Sequence, residues 1–173
     1  MTNYKSQLKQ ITTFIFDYDG VLTDGSVIMM PDGEGLRVTN IKDGYALQLA
    51  VKKGYHVAII SGARSASMAQ RLKAVNVTDV FLGIDNKIET LRKYLKDNNI
   101  QSSQVIYMGD DIPDYEVMLE VGLPVCPADA AEEIKRISRY ISHRAGGKGC
   151  ARDIIEQVMK IQGKWMNNDA FYW

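Results

Sequence analysis

The 173-residue sequence predicts an α/β fold, a doubly wound parallel sheet with helices on both faces. Two observations lead there. Short apolar runs rich in β-branched and aromatic residues alternate with runs of helical spacing, and parallel strands separated by helices follow from that alternation. The runs are also near-continuously apolar, as strands buried on both faces must be.

The strand patterns are TTFIFD (12–17), YHVAIIS (55–61), VTDVFLG (77–83), QVIYMGD (104–110) and GLPVCP (122–127). Between them the helical patterns run over 43–54, 63–76, 86–99 and 112–122, each closing at Gly or Asn, residues that tolerate a left-handed helix end. Two further helices are expected over 129–140 and 149–163. One segment breaks the alternation. SVIMMPDGEGLRVTN (26–40) reads as two strands around a Pro-Asp-Gly turn, a hairpin flap between the first strand and the first helix. Its Val27, Ile28, Met29 and Met30 need more cover than a lone two-stranded ribbon provides, and subunit association would supply it. The aromatic tail over about 163–173 has no period and is expected to fray or to dock on a neighbouring surface. No linker or repeat divides the chain, so one domain over 1–173 is expected.

Composition narrows the function. With 21 basic and 21 acidic side chains the chain is formally neutral, so nothing directs it to nucleic acid or to a membrane surface. No apolar run reaches the ~18 residues of a spanning helix, and the first ten residues lack a signal-type apolar stretch. Cys126 and Cys150 show neither metal-ligand spacing nor a disulfide framework, which makes them packed residues and a reducing cytoplasm the expected compartment. His56 and His143 have no partner in view.

In a doubly wound sheet, ligands sit beyond the carboxyl ends of the strands. Asp17 and Asp19 follow the first strand, Ser61 the second, and Asp110 and Asp111 the fourth, while Lys87 opens the helix after FLGID. Each has a plain structural explanation alone: a turn, a loop, a helix cap, a solvated lysine. Together, in order, at one sheet edge, they point to chemistry. Four acids would repel one another and a phosphate unless a divalent cation sat among them, and an all-oxygen donor set suits Mg²⁺. Ser61 and the helix amides after it offer donors to phosphate oxygens, and Lys87 a compensating charge.

The segments DYDGVLTDG, IISG with Ser61, DNK with Lys87 and GDDIPD (109–114) resemble the four motifs of the haloacid dehalogenase-like phosphatases, over nearly the whole chain. The resemblance implies a Rossmann-like core with Asp17 as nucleophile and Asp19 as acid/base. It implies Mg²⁺ held by Asp17, the backbone carbonyl of Asp19 and Asp110, with Asp111 and Asp114 orienting waters or Lys87. The spacings Asp17 to Ser61 and Ser61 to Lys87 leave no room for a cap domain. Within the family, TNIKDGYAL (39–47), the hairpin and RAGGKGCARDI (144–154) are similar to the phosphatases of 3-deoxy-D-manno-octulosonate (KDO) 8-phosphate, and to those of nine-carbon sialic-type acid 9-phosphates. That similarity implies a small sugar-acid phosphate as substrate, a role in lipopolysaccharide or other surface-carbohydrate synthesis, and a homotetramer in which a neighbour closes the site. It implies Asp19, Asn40, Ile41, Lys42, Asp43, Gly44, Arg71 and Lys87 as substrate residues, with Gly147 and Lys148 in a gating loop. Read without the resemblance, 146–149 is a flexible Gly-rich turn. Gln48 and Ala63 stand where the octulosonate branch has arginines for the sugar's carboxylate, so the nine-carbon acid stays open as an alternative. Two other classes compete. A phospho-accepting receiver domain needs an Asp where Ser61 stands, and a phosphatase of macromolecules needs a basic, aromatic-lined face that a neutral chain does not advertise.

Overall fold

The computed structural model describes residues 4–172. Residues 1–3 and 173, the ends of the unit expected over 1–173, lie outside the described residues. The elements are β1 (Thr13–Phe16), β2 (Ile28–Met29), β3 (Gly35–Leu36), α1 (Ile41–Lys52), β4 (His56–Ser61), α2 (Ala66–Ala74), β5 (Asp79–Leu82), α3 (Lys87–Asp97), β6 (Val105–Met108), α4 (Tyr115–Leu119), β7 (Leu123–Cys126), α5 (Glu132–Ile137), β8 (Tyr140–Ile141) and α6 (Cys150–Ile161). A 3₁₀ turn over Tyr4–Gln10 precedes them.

Six strands form one sheet in the order β5-β4-β1-β6-β7-β8, and its pairs are all parallel. Alternation along each strand feeds two cores. Phe14, Phe16, Val57, Ile59, Ile106 and Met108 face a layer of α1, α2 and α6. Ile15, Ala58, Ile60, Val105 and Tyr107 face α3, α4 and α5. Phe14 is fully buried between strand and helix layer, so truncation to Ala would cost about 3–5 kcal/mol. The chain leaves β1 toward β4 and β5, then returns to build β6, β7 and β8 on the other side. The topological switch therefore lies beside β1, whose end carries Asp17.

Only the hairpin and α1 lie between β1 and β4, and only α2 and β5 between β4 and α3; no cap is inserted at either place. The flap is shorter than the pattern suggested: β2 and β3 pair through two residues each, with Met30 N–H donating to Glu34 O. The segment 129–140 is not one helix. α5 stops at Ile137, where Ser138 turns extended and its hydroxyl donates to Ile134 O, and β8 then takes the free edge of β7. Tyr140 stacks on Tyr4 and donates to Asp153, which rewards the strand over another helical turn. The helix expected over 112–122 opens as a 3₁₀ turn containing Pro113 and is α-helical only over Tyr115–Leu119. The described part of the tail docks on the chain itself. Trp165 joins the first core, the Arg152 guanidinium lies over its ring, and Tyr45 Oη donates to Ala170 O. Both cysteines are buried and free, as packed residues should be. Among the described residues no helix is long and apolar enough to cross a membrane.

Candidate active site

Asp17 ends β1 still in register, its N–H donating to Met108 O. Its Oδ1 accepts from Tyr18 N–H at 2.7 Å and lies 3.2 Å from Lys87 Nζ. The chain then turns tightly, with Leu22 and Thr23 N–H both donating to Tyr18 O. Gly20 sits at φ +83°, and a Cβ there would fall 2.0 Å from Asp110 Oδ2. Glycine is required twice over at that position, by backbone and by space.

Lys87 is the first residue of α3, delivered by Asn86, whose side chain caps the helix by accepting from Glu89 N–H. Its ammonium is buried between Asp17 and Asp114, the latter at 2.7 Å. Asp114 is fully buried and committed to three donors: Lys87 Nζ, Tyr107 Oη at 2.9 Å and Asp110 N–H at 3.1 Å. Burial works against the Lys87 ammonium, yet the carboxylates of Asp114 and Asp17 hold its pKa above the ordinary value. Ser61 ends β4 with its hydroxyl buried, accepting from Ala63 N–H. These groups open onto a cleft of about 570 Å³.

Asp17, Asp110 and Asp114 place carboxylate oxygens within 4.8 Å of one another. Burial and the Asp114 carboxylate push Asp17 up to about 6 against the pull of Lys87. Burial and the Asp17 carboxylate push Asp110 up to about 7. Asp110 Oδ1 is buried without a hydrogen-bond partner among the described residues. A crowded, half-desolvated pair of carboxylates with an orphaned oxygen is the donor set of a hard divalent cation. With Asp114 already committed to Lys87, Tyr107 and the Asp110 amide, Asp17 and Asp110 are the side chains of the cluster with oxygens left for such an ion.

The Asp19 carboxylate is outside this cluster. It turns to the flap, where Arg37 grips it with Nε–Oδ1 at 2.6 Å and Nη2–Oδ2 at 2.8 Å. Asp111 is exposed and caps Ile112 N–H. Asn40, Asp43, Gly44 and Arg71 converge with Tyr18 on a narrow cavity of about 20 Å³, and Arg71 lies over Gly44 where a Cβ would meet its Nη2 at 2.4 Å. Asp43 is buried, its two carboxylate oxygens accepting from Gly149 N–H and Arg152 N–H, so it caps α6. Ile41 is exposed, and Lys42 and Lys148 share a separate cleft with Arg144. The glycine loop packs on the loop after Asp17: Gly147 N–H donates to Val21 O, and a Cβ on Gly146 would strike Gly20 O at 2.0 Å. Gln48 is buried on α1, and Ala63 lines the main cleft.

Two residues escaped sequence reasoning, Arg37 and Tyr107. Arg37 had a signal. Along 36–38 the apolar Leu36 and Val38 face solvent while the cation faces inward, the reverse of an ordinary flap. Tyr107 had none, since a Tyr in an apolar strand reads as core.

A nucleophile-placed carboxylate beside a buried lysine and a cation-ready acid, at the switch of a capless parallel sheet, defines a phosphoric monoester hydrolase. The chain belongs to the haloacid dehalogenase-like hydrolases. The model of that family matches residues 76–154. The chain is 34% identical to the 3-deoxy-D-manno-octulosonate 8-phosphate phosphatase KdsC of Salmonella typhi, over 94% of this chain and 87% of that one. Its fold is similar to that of the phosphatase of the same name from Moraxella catarrhalis, solved with magnesium, phosphate and KDO (TM-score 0.91, 32% identity, covering 99% of this chain and 97% of that one). The Yersinia pestis enzyme of that name superposes equally well, at TM-score 0.91 with 31% identity, covering 94% of this chain and 88% of that one.

Proposed function

We propose that the chain is an Mg²⁺-dependent phosphatase of 3-deoxy-D-manno-octulosonate 8-phosphate. The observation that carries the chemistry is the sheltered set of Asp17, Lys87 and half-buried Asp110 at the sheet switch, with an Asp110 oxygen that has no partner among the described residues. The substrate is supported by 34% identity to an octulosonate phosphatase in an alignment that covers 94% of the chain.

Asp17 attacks phosphorus, forming an aspartyl phosphate as the ester oxygen leaves. Asp19 gives that oxygen its proton, then takes one from the water that hydrolyses the acyl phosphate. Ser61 and the amides after it hold the phosphate oxygens. Lys87, fixed by Asp114, neutralises charge between nucleophile and phosphate. Asp17, Asp110 and the backbone carbonyl of Asp19 would hold Mg²⁺, whose charge would let a dianionic phosphate enter an acidic site. Asp111 orients solvent at the mouth. Asn40, Ile41, Lys42, Gly44 and Arg71 contact the sugar, and Asp43 supports them through α6. The exposed apolar flap, with Ile28 and Met29 60% and 68% exposed, is covered by subunits of a cytoplasmic homotetramer, where Gly147 and Lys148 gate a neighbouring site.

Phosphate release from the eight-carbon ester and from nine-carbon acid 9-phosphates, with Mg²⁺ and then EDTA, tests the reading. A higher kcat/KM for the eight-carbon ester supports it. Preference for a nine-carbon ester keeps the chemistry and moves the substrate. No metal-dependent turnover of either refutes it.

A further inference from the structure

Arg37 has a place in no step described so far, yet it is the best-bonded side chain of the flap. Its guanidinium donates to both oxygens of Asp19 and, through Nη1, to Gly35 O at 2.8 Å. Thr23 Oγ1 adds a longer bond to Asp19 Oδ1. The pair is sheltered, with the Arg37 side chain 11% exposed and that of Asp19 30% exposed. Gly35 makes the fold-back possible, since a Cβ there would meet Val27 Cγ1 at 2.7 Å and Arg37 Nη1 at 3.3 Å. The flap itself is weakly anchored. Its two strands share the pairs Ile28–Leu36 and Met29–Gly35, and among the described residues its other side-chain bonds to the body are long, 3.4 Å from Ser65 Oγ to Glu34 Oε1 and 3.3 Å from Asn40 Nδ2 to Gly147 O.

This geometry conflicts with the task assigned to Asp19. A carboxylate gripped on both oxygens by one guanidinium is aimed at the flap and accepts there, so it is not placed to serve an ester oxygen. The fork must leave before a proton can be handed to the leaving group. A guanidinium leaves one carboxylate most readily for another planar anion of the same shape, because the two N–H donors are then re-used. A neutral leaving group offers no such exchange, and the pair must be opened without replacement.

We propose that Arg37 is a substrate-operated restraint on Asp19: the carboxylate of an acidic leaving group draws the guanidinium away, so that Asp19 can take a proton from solvent and pass it to the leaving oxygen, and the flap moves with Arg37. The inference rests on the sugar-acid reading of the site. Arg37 acts on the chemistry through Asp19, as a positioning residue, and it makes the acid group of the substrate a condition for turnover. It also replaces, from the flap, the fork-shaped donor absent at Gln48 and Ala63.

The test compares full-length wild-type enzyme with Arg37→Ala and Arg37→Lys, with Mg²⁺, on 3-deoxy-D-manno-octulosonate 8-phosphate and on phenyl phosphate, whose leaving group carries no carboxylate. For Arg37→Ala the expected result is a fall of about tenfold or more in kcat/KM on the acid ester, in keeping with loss of a charge-assisted bidentate contact, and a rise on phenyl phosphate. Arg37→Lys recovers only part of the acid preference, because an ammonium lacks the fork. Hydrogen exchange supplies a readout independent of substrate. The Met30 and Gly33 amides of the flap exchange faster in Arg37→Ala, while the β6 amides do not change. A parallel fall on both esters, or unaltered flap exchange, overturns the inference. A wild-type preference for the acid ester that survives in Arg37→Ala overturns it alone. A wild type that does not prefer the acid ester overturns the substrate reading and the hand-over to a carboxylate together.

Discussion

Lys87 and Asp114, 27 residues apart in sequence, meet at 2.7 Å with both side chains almost wholly buried. Asp114 is thus the anchor that holds the ammonium against Asp17, and Tyr107 Oη and Asp110 N–H hold the anchor. Removing one member of a buried pair leaves the other charged and unmatched. Asp114→Ala is expected to lose about 3–5 kcal/mol in urea unfolding. It is also expected to lower kcat about a hundredfold or more, as displaced charge stabilisation does. Asp114→Asn, which still accepts from Tyr107, falls between it and wild type.

The raised carboxyls make metal binding visible as a pH effect. Burial and the neighbouring carboxylates push Asp17 up to about 6 and Asp110 up to about 7, above the ordinary carboxylate value. A carboxyl raised by folding favours the folded state below the unfolded value, and that contribution is lost as pH rises through the folded value. Metal-free protein therefore loses stability from these two groups as pH climbs through 6 and 7. Mg²⁺ removes the repulsion, so its gain in Tm over EDTA should be larger at about pH 8 than at about pH 5.5. An equal gain at both would contradict the placement of the ion between these acids.

The same repulsion predicts a split between stability and activity. Asp17→Asn removes one buried charge of the cluster and should raise the Tm of the metal-free protein at about pH 8 while abolishing turnover. A variant that loses both would mean that Asp17 organises the fold rather than the chemistry. Differential scanning calorimetry in EDTA, beside a phosphate-release assay, reads the two quantities.

Gly146 tests the glycine loop. Its missing side chain lets the loop lie against Gly20 O, and a Cβ there would sit 2.0 Å from that oxygen. Gly146→Ala must push back the turn that carries the nucleophile, at an overpacking cost of about 1–3 kcal/mol. Activity should fall with it. Chemical denaturation and kcat measured together check this. An unchanged kcat would show that the loop can yield without disturbing Asp17.

Much of this molecule was legible before folding. The apolar runs and their helical partners specify a parallel sheet because both faces of each strand must be buried, and that one constraint carries Asp17, Ser61 and Asp110 to a common edge. Lys87 was legible because a helix start points its first side chains back at that edge. Other features depend on tertiary neighbours. β8 is two residues long and exists because β7 leaves an edge and because Asp153 and Tyr4 meet Tyr140. Asp43 looks like a ligand in TNIKDGYAL, yet its oxygens are taken up by backbone amides of a helix more than a hundred residues later. The grip of Arg37 on Asp19 needs the flap folded over the loop, and no local pattern fixes that fold. Asp19 lines the same cleft as Asp17, as its place at the sheet edge suggested, but the turn of its carboxylate toward the flap was not legible.

Trapping the acyl phosphate shows whether Asp17 itself becomes phosphorylated. Enzyme turning over 3-deoxy-D-manno-octulosonate 8-phosphate with Mg²⁺ is quenched into borohydride, which reduces an aspartyl phosphate to homoserine, and the digest is read by mass spectrometry. The account predicts homoserine at residue 17, absent without substrate and absent in EDTA. Turnover with an unmodified Asp17, or with the label on Asp19 or Asp110, would contradict it.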